Sequence, residues 1–243
     1  MKPPHLSVIL PAYCEAERIG ATLDIIQAHL SETGYQSELI VVDDGSPDAT
    51  TEVVRAFQAK SNLMIKLIIH ERNKGKGAAV RTGMRAATGT YALFADADNA
   101  TPFDEVAKLL SAADKGADVV IASRYLPGSN VVKKQSLLRR AISRGGNLLF
   151  RLLLRLPFSD TRCGFKLFNR RSRDIIFARQ TIERWGFDTE ILVIALRHHL
   201  NVAEVPVRWY DRERGNIRPV RDAIRALGEI LHILRLSMTG AYE

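Results

Sequence analysis

The sequence predicts a single α/β domain in which helices flank a mainly parallel sheet. Apolar, strand-like runs alternate with helical periodicity through the first half of the 243-residue chain. The strand-like runs cover 6–13, 38–44, 64–70, 90–96 and 118–123. Helical spacing relates Ile19, Leu23, Ile26 and Leu30, and later Val106, Leu109, Leu110 and Ala113. This alternation favours parallel strands with helices packed on them.

The second half of the chain has a different pattern of apolar and charged residues. It contains a basic stretch (130–145), a Leu-rich helix, a strand-like run (163–169), a helix (187–199), a strand (202–209) and a final amphipathic helix. The last helix carries one apolar side, formed by Val220, Ala223, Leu227, Ile230, Leu231, Leu234 and Met238. We expect that side to pack on the core, with membrane contact as the alternative.

Composition limits the partners and the compartment. The 35 Lys and Arg residues outnumber 27 Asp and Glu, and the formal net charge of +8 favours phosphates, anionic lipid or nucleic acid. Two cysteines, Cys14 and Cys163, are too few for a disulfide framework. The N-terminus lacks signal-peptide features, and the most apolar stretch (147–158) is interrupted by Arg151 and Arg155. We therefore expect a cytoplasmic protein without a transmembrane segment.

Acidic residues follow the strand-like runs. Asp43 and Asp44 end the second run, and Asp96 and Asp98 end the fourth. Ligands of open α/β sheets bind beyond the carboxyl ends of the strands, and two carboxylates one residue apart suit Mg²⁺ or Mn²⁺ beside a diphosphate. A dinucleotide fingerprint is missing after the first strand, since the glycines of Gly75-Lys76-Gly77 follow the third.

Three motifs, taken in order, carry a resemblance: VILPAYCEAERI, ELIVVDDGSPDAT and RNKGKGAAVRTGMRAATGTYALFADAD. They resemble the nucleotide-sugar half of family 2 glycosyltransferases with the GT-A fold. Farther along, IASRY, LRRAISRGGN, DTRCGFKLF and RWGFDTEIL resemble the polyprenyl-phosphate glycosyltransferases, most closely the dolichyl-phosphate β-glucosyltransferase group. The resemblance spans roughly 6–210 and implies one GT-A domain over 1–243. Its nucleotide-sugar half would cover about 1–125, and an acceptor half with interfacial helices about 126–243.

The resemblance also implies roles for individual residues. It puts Pro11, Tyr13, Glu15, Asp43, Asp44, Lys76 and Arg81 near the nucleotide, and makes Asp96 and Asp98 the site that links nucleotide and metal. Taken alone, Asp43 or Asp44 is also explained as a turn-capping residue before Gly45. In the acceptor half, the resemblance places the segments of Asp160 and of Trp185, Phe187, Asp188 and Glu190 near the donor sugar. Asp160 is the candidate for orienting the sugar or the metal shell.

Two departures from the wider group bear on substrate. Ala100 stands two positions after the D-x-D, where mannosyl members carry an oxygen-bearing side chain, and this favours UDP-glucose over GDP-mannose. Arg214-Gly215-Asn216 replaces a Gly-Ser-Lys segment, so no role is assigned to that loop.

A phosphate acceptor explains the basic second half. A phosphate monoester is mostly dianionic at neutral pH and needs cations and water exclusion rather than a base. Arg124, Arg139 and Ser143 are the candidates for binding it, since Arg139 and Ser143 share a face if 137–144 is helical. Arg140, Arg144, Arg151 and Arg155 fall on one arc of a leucine-rich helix, which predicts membrane-surface contact unless Gly145-Gly146 breaks it.

The sequence therefore predicts an inverting, metal-dependent hexosyltransferase that moves glucose from UDP-glucose to a polyprenyl or dolichyl phosphate on the cytoplasmic face of a membrane. The alternatives are mannosyl transfer from GDP-mannose, transfer to a hydroxyl with Asp160 or Asp188 as base, and a basic nucleic-acid-binding protein. The last is disfavoured because acidic residues occupy the strand ends and no aromatic platform is present. A homodimer and a separate membrane-anchoring partner both remain open.

Overall fold

The protein is described by a computed structural model whose backbone covers residues 4–132, 137–212 and 219–243, with side chains for 4–132, 145–212 and 227–243. The strands are β1 (Leu6–Ala12), β2 (Ser37–Asp43), β3 (Met64–Ile69), β4 (Tyr91–Ala95), β5 (Val119–Ser123), β6 (Asn130–Val131), β7 (Phe165–Asn169), β8 (Val202–Pro206) and β9 (Arg208–Trp209). The helices are α1 (Ile19–Thr33), α2 (Thr50–Gln58), α3 (Lys76–Ala86), α4 (Val106–Asp114), α5 (Leu137–Leu153), α6 (Arg170–Arg179), α7 (Phe187–Arg197) and α8 (Pro219–Met238), with a 3-10 turn at Phe103–Glu105.

Seven strands form one sheet in the order β3-β2-β1-β4-β7-β5-β8, and β6 pairs with β9 in a small second sheet. The large sheet is parallel except for β7, which runs antiparallel between β4 and β5. Strands β1, β2 and β4 are parallel neighbours, so their carboxyl ends lie at the same edge of the sheet. All three strands are buried along most of their length. The predicted mainly parallel α/β sheet is confirmed.

Two apolar layers sandwich the sheet. One holds α1 and α4 through Ile19, Leu23 and Leu109, and the other holds α3 and α7 through Val80 and Ile191. Each strand sends alternate side chains into the two layers, which is why the buried runs are continuously apolar. The sheet edge above β1, β2 and β4 is thereby held rigidly from both sides.

The second half corrects three expectations. The strand predicted for 202–209 is divided at Val207, directly after Pro206, which cannot donate a ladder hydrogen bond. Helix α5 runs through Gly145 and Gly146 without a break. It ends at Leu153, however, and Arg155 has a positive φ of 51° beyond it, so Arg155 does not continue the predicted arginine stripe.

The final helix buries a different side from the one expected. Ile230 and Ile233 are fully buried, whereas Leu227, Leu231 and Met238 are exposed. The predicted side was confirmed at Ile230 and wrong at the three exposed residues, because the helix is turned so that Ile233, which the expected set omitted, faces the core beside α7. Val220 and Ala223 lie outside the residues whose side chains are described. Among the described residues, no helix combines the length and apolarity that crossing a bilayer requires.

Candidate active site

A cleft of about 560 Å³ opens at the carboxyl ends of β1, β2 and β4, a volume suited to a nucleotide-sized ligand. Its walls contain most of the residues expected around a nucleotide and metal: Pro11, Tyr13, Glu15, Asp44, Lys76, Asp96 and Asp98. Trp185, expected in the sugar pocket, lines it as well. Arg18, Asn73 and Arg184 also line it, although the sequence analysis did not single them out. Segments nearly 180 residues apart in the chain therefore converge on one cleft.

Asp96 contacts a cation and packs against a glycine. Lys76 Nζ lies 2.5 Å from Asp96 Oδ1, and the two side chains are 20% and 34% exposed. A Cβ on Gly164 would lie 2.2 Å from Asp96 Oδ2 and 2.6 Å from its Oδ1, so only a glycine fits there without moving the carboxylate. Burial opposes the charge on Lys76, but the carboxylates of Asp96 and Asp188 raise the pKa of Lys76 above its usual range.

Asp98 is the less neutralised of the two carboxylates. Its Oδ1 accepts a hydrogen bond from the Ala100 N–H, and its Oδ2 lies 3.9 Å from Arg18 Nη1. Arg18 makes its close contacts with Glu15 instead, through Nε at 2.8 Å and Nη2 at 2.6 Å. Burial and the neighbouring Asp96 carboxylate raise the pKa of Asp98. The pair therefore presents concentrated negative charge at the cleft.

This donor set fits a divalent cation that shares its ligands with a phosphate. No cluster of three or more His, Cys, Asp or Glu side chains suitable for a metal occurs in the part of the chain that the structure describes. Mg²⁺ binds through one or two carboxylates together with substrate phosphates and water, so Asp96 and Asp98 suffice. The pKa of Asp98 is raised first by burial and then by the Asp96 carboxylate, so a cation bound between the two carboxylates would relieve their repulsion.

Asp43 and Asp44 make different contacts and stabilise different loops. Asp43 accepts hydrogen bonds from the Ser46 N–H, at 2.9 Å, and from the Thr51 hydroxyl, which is the turn-capping role considered for one of the pair. Asp44 lines the cleft and accepts bonds from the N–H groups of Lys74 and Gly75, at 3.0 and 2.7 Å. It therefore fixes the loop that enters α3.

The start of α3 packs closely on the 182–187 segment. A Cβ on Gly75 or Gly77 would lie 2.5 Å from the carbonyl oxygen of Glu183 or Ile182, respectively. These glycines thus serve helix-to-loop packing, which brings Trp185, 55% exposed, to the cleft. Arg81, expected near the nucleotide, instead donates to the Gln180 carbonyl and to Glu183 and is absent from the cleft wall.

Asp160 is buried in an ion pair. Arg124 Nε and Nη2 donate to its two oxygens at 2.7 and 2.9 Å, and the backbone N–H groups of Arg124 and Arg162 donate as well. Burial alone would raise the pKa of Asp160, but the Arg124 guanidinium outweighs it and lowers the pKa. Arg124 itself is flanked by the rings of Tyr125 and Trp209, each 5.3 Å away. Asp160 does not line the cleft.

The residues expected to form a sugar pocket divide into one at the cleft and three in the interior. Trp185 is at the cleft, whereas Phe187 is a core residue. Asp188 is buried and pairs with Lys166, a fully buried lysine that sequence reasoning missed. Glu190 accepts hydrogen bonds from the N–H groups of Thr181 and Ile182, and so anchors the 181–182 backbone. A lysine inside the apolar run FKLFN was the available signal for a buried ion pair.

The predicted acceptor residues are described in part. Helix α5 includes residues 137–144, which is the condition for Arg139 and Ser143 to share a face. The side chains of both lie outside the described residues, as do those of Arg140 and Arg144 in the predicted arginine stripe.

Solved structures share this architecture. Mannosyl-3-phosphoglycerate synthase from Rubrobacter xylanophilus is 18% identical with a TM-score of 0.70, and the match covers 98% of this chain and 75% of that one. Glucosyl-3-phosphoglycerate synthase from Mycobacterium tuberculosis, crystallised with Mn²⁺ and UDP-glucose, is 21% identical with a TM-score of 0.64 over 98% and 79% of the two chains. These matches show that the chain has the GT-A fold.

The sequence comparison assigns the family. The model of Glycosyl transferase family 2 matches residues 7–177. The dolichyl-phosphate β-glucosyltransferase of Dictyostelium discoideum is 36% identical, and that of Saccharomyces cerevisiae 35%; each match covers 98% of this chain and 76% of the relative. The chain belongs to glycosyltransferase family 2 and is a transferase enzyme.

Proposed function

We propose that the protein transfers glucose from UDP-glucose to a polyprenyl phosphate, such as dolichyl phosphate, with inversion at the anomeric carbon. The names of the similar dolichyl-phosphate β-glucosyltransferases support both the sugar and the acceptor. The structural observation that carries the proposal is the state of Asp160 and Asp188, the two candidates for a general base.

A hydroxyl acceptor must lose a proton during attack and needs a base within hydrogen-bond reach. Asp160 is fully buried and engaged by Arg124 on both oxygens, and Asp188 is buried against Lys166. Despite its burial, the Arg124 guanidinium lowers the pKa of Asp160, which makes Asp160 a poor proton acceptor, and Asp188 is buried away from the cleft wall. A phosphate acceptor has no such requirement, because its dianion attacks unaided.

The proposed reaction is one displacement. A phosphate oxygen of the acceptor attacks the anomeric carbon from the face opposite the nucleotide, and the bond from that carbon to the β-phosphate oxygen breaks. The electron pair leaves with UDP, and the product is a β-linked glucosyl phosphate. A divalent cation bound at Asp96 and Asp98 would stabilise the charge of the departing diphosphate.

Arg124 is the described residue proposed to receive the acceptor phosphate. Asp160 occupies its Nε and Nη2, which leaves Nη1 as a donor for the phosphate. The rings of Tyr125 and Trp209 flank its guanidinium and restrict its motion. Arg139 and Ser143 on α5 remain proposed partners.

The test pairs donors with acceptors. The purified protein with Mg²⁺ is given UDP-glucose or GDP-mannose, and either a short polyprenyl phosphate or the matching polyprenyl alcohol. We expect a lipid-linked sugar from UDP-glucose and the phosphate alone. Product from GDP-mannose would correct the sugar, and product from the alcohol would overturn the acceptor. No product with any donor or phosphate would remove the proposal.

We further propose that α5 and α8 hold the enzyme on the cytoplasmic surface of a membrane, an assignment consistent with the free thiols of Cys14 and Cys163. Leu148, Leu149, Leu152 and Leu153 share one exposed face of α5, and Leu227 and Leu231 are exposed on α8, which packs against α5. Exposed leucines in such number on adjoining helices are typical of a membrane or protein contact. A lipid-linked acceptor and the positive net charge favour the membrane.

Leu152→Ser tests this surface. Because burying one leucine side chain is worth about 1.5–3 kcal/mol, we expect binding to vesicles of phosphatidylcholine and phosphatidylserine to weaken at least roughly tenfold. Flotation of the vesicles measures it. Met64→Ser is the matched control, since Met64 is exposed on the distant strand β3. Equal binding by both variants and the unaltered protein would refute the assignment.

A further inference from the structure

One cation of the cleft contacts the D-x-D carboxylates directly, and a second, which is paired with Glu15, lies at the limit of ion-pair distance. Lys76 Nζ lies 2.5 Å from Asp96 Oδ1, and Arg18 Nη1 lies 3.9 Å from Asp98 Oδ2. All four side chains line the cleft and all are partly exposed. In this arrangement the protein's own cations interact with the carboxylates that a divalent metal would bind.

We propose that Lys76 is an exchangeable counter-ion: it neutralises Asp96 in the unloaded enzyme and moves to the donor diphosphate when nucleotide and metal bind together. Arg18, which stays paired with Glu15, makes a weaker contribution of the same kind at Asp98. The inference rests on the proposed donor and metal site and adds to it a coupling between the two ligands. Metal alone must displace Lys76 into a cleft without an anion, whereas nucleotide supplies the anion that receives it.

The surroundings of Lys76 permit such a move. Within the described part of the chain, Asp96 is the carboxylate at ion-pair distance from Lys76. The rings of Trp185 and Phe187 lie 5.9 Å from its Nζ, and they attract a cation without fixing it by a hydrogen bond. The carboxylate of Asp188 also attracts Lys76, from beyond ion-pair distance. A lysine has a flexible stem and a compact charge, so it can turn toward a phosphate in the same cleft.

The buried pairs of the molecule lack this freedom. Lys166 is fully buried, and its Nζ donates both to Asp188 and to the Cys163 carbonyl, at 2.6 Å for the latter. Asp160 is likewise inaccessible behind Arg124. Only an accessible pair can change partner without leaving a buried charge unpaired, a change that is strongly unfavourable.

The position of the Asp96 carboxylate does not depend on Lys76 alone. The backbone at Gly164 packs so closely on the carboxylate that a Cβ would meet both of its oxygens, so packing restrains Asp96 independently of Lys76. Removing Lys76 should therefore free Asp96 for a metal and not disorder it. A purely structural ion pair predicts the reverse, since Asp96 would lose its positioning partner.

The experiment measures Mn²⁺ affinity of the full chain by electron paramagnetic resonance of free Mn²⁺, with and without UDP. For Lys76→Met without UDP, we expect Mn²⁺ to bind roughly fivefold more tightly than to the unaltered protein, at the low end of site-to-site couplings. The enhancement of Mn²⁺ affinity by UDP should shrink by a similar factor. Arg18→Met should shift both quantities in the same direction but less, because its contact is longer.

Two further variants separate charge from structure. Lys76→Arg keeps a cation on Asp96 and should leave Mn²⁺ affinity without UDP close to that of the unaltered protein. Lys74→Met removes the same charge from an exposed side chain outside the cleft wall. It should change the Mn²⁺ affinity without UDP less than twofold. Thermal unfolding of each variant verifies that it is folded.

Weaker or unchanged Mn²⁺ binding by folded Lys76→Met would overturn the inference. Failure of the unaltered protein to bind Mn²⁺ even with UDP would instead remove the proposed donor site. The two failures are therefore distinguishable in one data set.

Discussion

The aspartates of the D-x-D turn and Asp160 both lie near strand ends of one sheet, yet their charges are in opposite states. Asp96 and Asp98 have side chains 34% and 24% exposed, and their cations are at the cleft surface. Asp160 is 0% exposed and accepts three hydrogen bonds from Arg124, two of them from its guanidinium. The carboxylates of Asp96 and Asp98 are accessible to a charged ligand, whereas the charge of Asp160 is neutralised inside the fold by Arg124.

The comparison separates two meanings of an acidic residue in an apolar motif. An accessible carboxylate with an incomplete set of partners can bind a ligand, and its removal should cost activity. A buried carboxylate with a full set supports its partner, and its removal should cost stability. Three substitutions test this division, beginning with the largest expected effect.

Asp160→Asn should lower the free energy of unfolding by about 3–5 kcal/mol, because it leaves the Arg124 guanidinium without its counter-charge. Urea unfolding measures the loss. Asp104→Asn is the control, since Asp104 pairs with Arg208 at an exposed position and should cost less than about 1 kcal/mol. A stable Asp160→Asn protein with no activity would instead make Asp160 part of the reaction site.

Asp98→Asn should reduce kcat/KM for UDP-glucose roughly 10²- to 10³-fold, the range for losing one preorganised electrostatic contact. Its free energy of unfolding should stay the same or rise, because repulsion between Asp96 and Asp98 is removed. Steady-state kinetics and urea unfolding on the same preparation check both statements. A large loss of stability would erase the distinction from Asp160.

Gly164→Ala should reduce kcat/KM by roughly tenfold or more through misplacement of a carboxylate, since the new Cβ would meet Asp96 Oδ2 at 2.2 Å. Gly146→Ala is the matched control: its nearest neighbour to a Cβ is Arg162 Nη1 at 3.8 Å, and alanine suits a helix interior. Full activity in Gly164→Ala would show that Asp96 need not keep its position.

Sequence alone anticipated the features that depend on local pattern. The five strands of the first half and the carboxylates after β2 and β4 follow from apolar runs and from the geometry of parallel sheets. The family resemblance was confirmed as well. Local pattern could not reveal partners that are distant in the chain. Asp160 and Arg124 are 36 residues apart, and their mutual neutralisation depends on how the loops after α5 and β5 meet.

Other residues were missed because no motif marks them. Arg18 precedes α1 and reads as an ordinary surface arginine until the cleft brings it to Asp98. Arg81 was associated with the nucleotide through its neighbours in the chain, but its helix turns it toward Gln180 and Glu183. The apolar side of α8 was misjudged because periodicity gives the width of a stripe and not the direction of its neighbours.

Strand β7 makes the order of synthesis matter. It enters the sheet between β4 and β5, although 41 residues of chain separate the end of β5 from its first residue. Until residues 165–169 leave the ribosome, β4 presents an unpaired edge and β5 has no neighbour through which to join it. A nascent chain ending near residue 125 therefore has an incomplete sheet with an unpaired edge, and Asp96 gains Gly164 as its neighbour only when this late strand fills the gap.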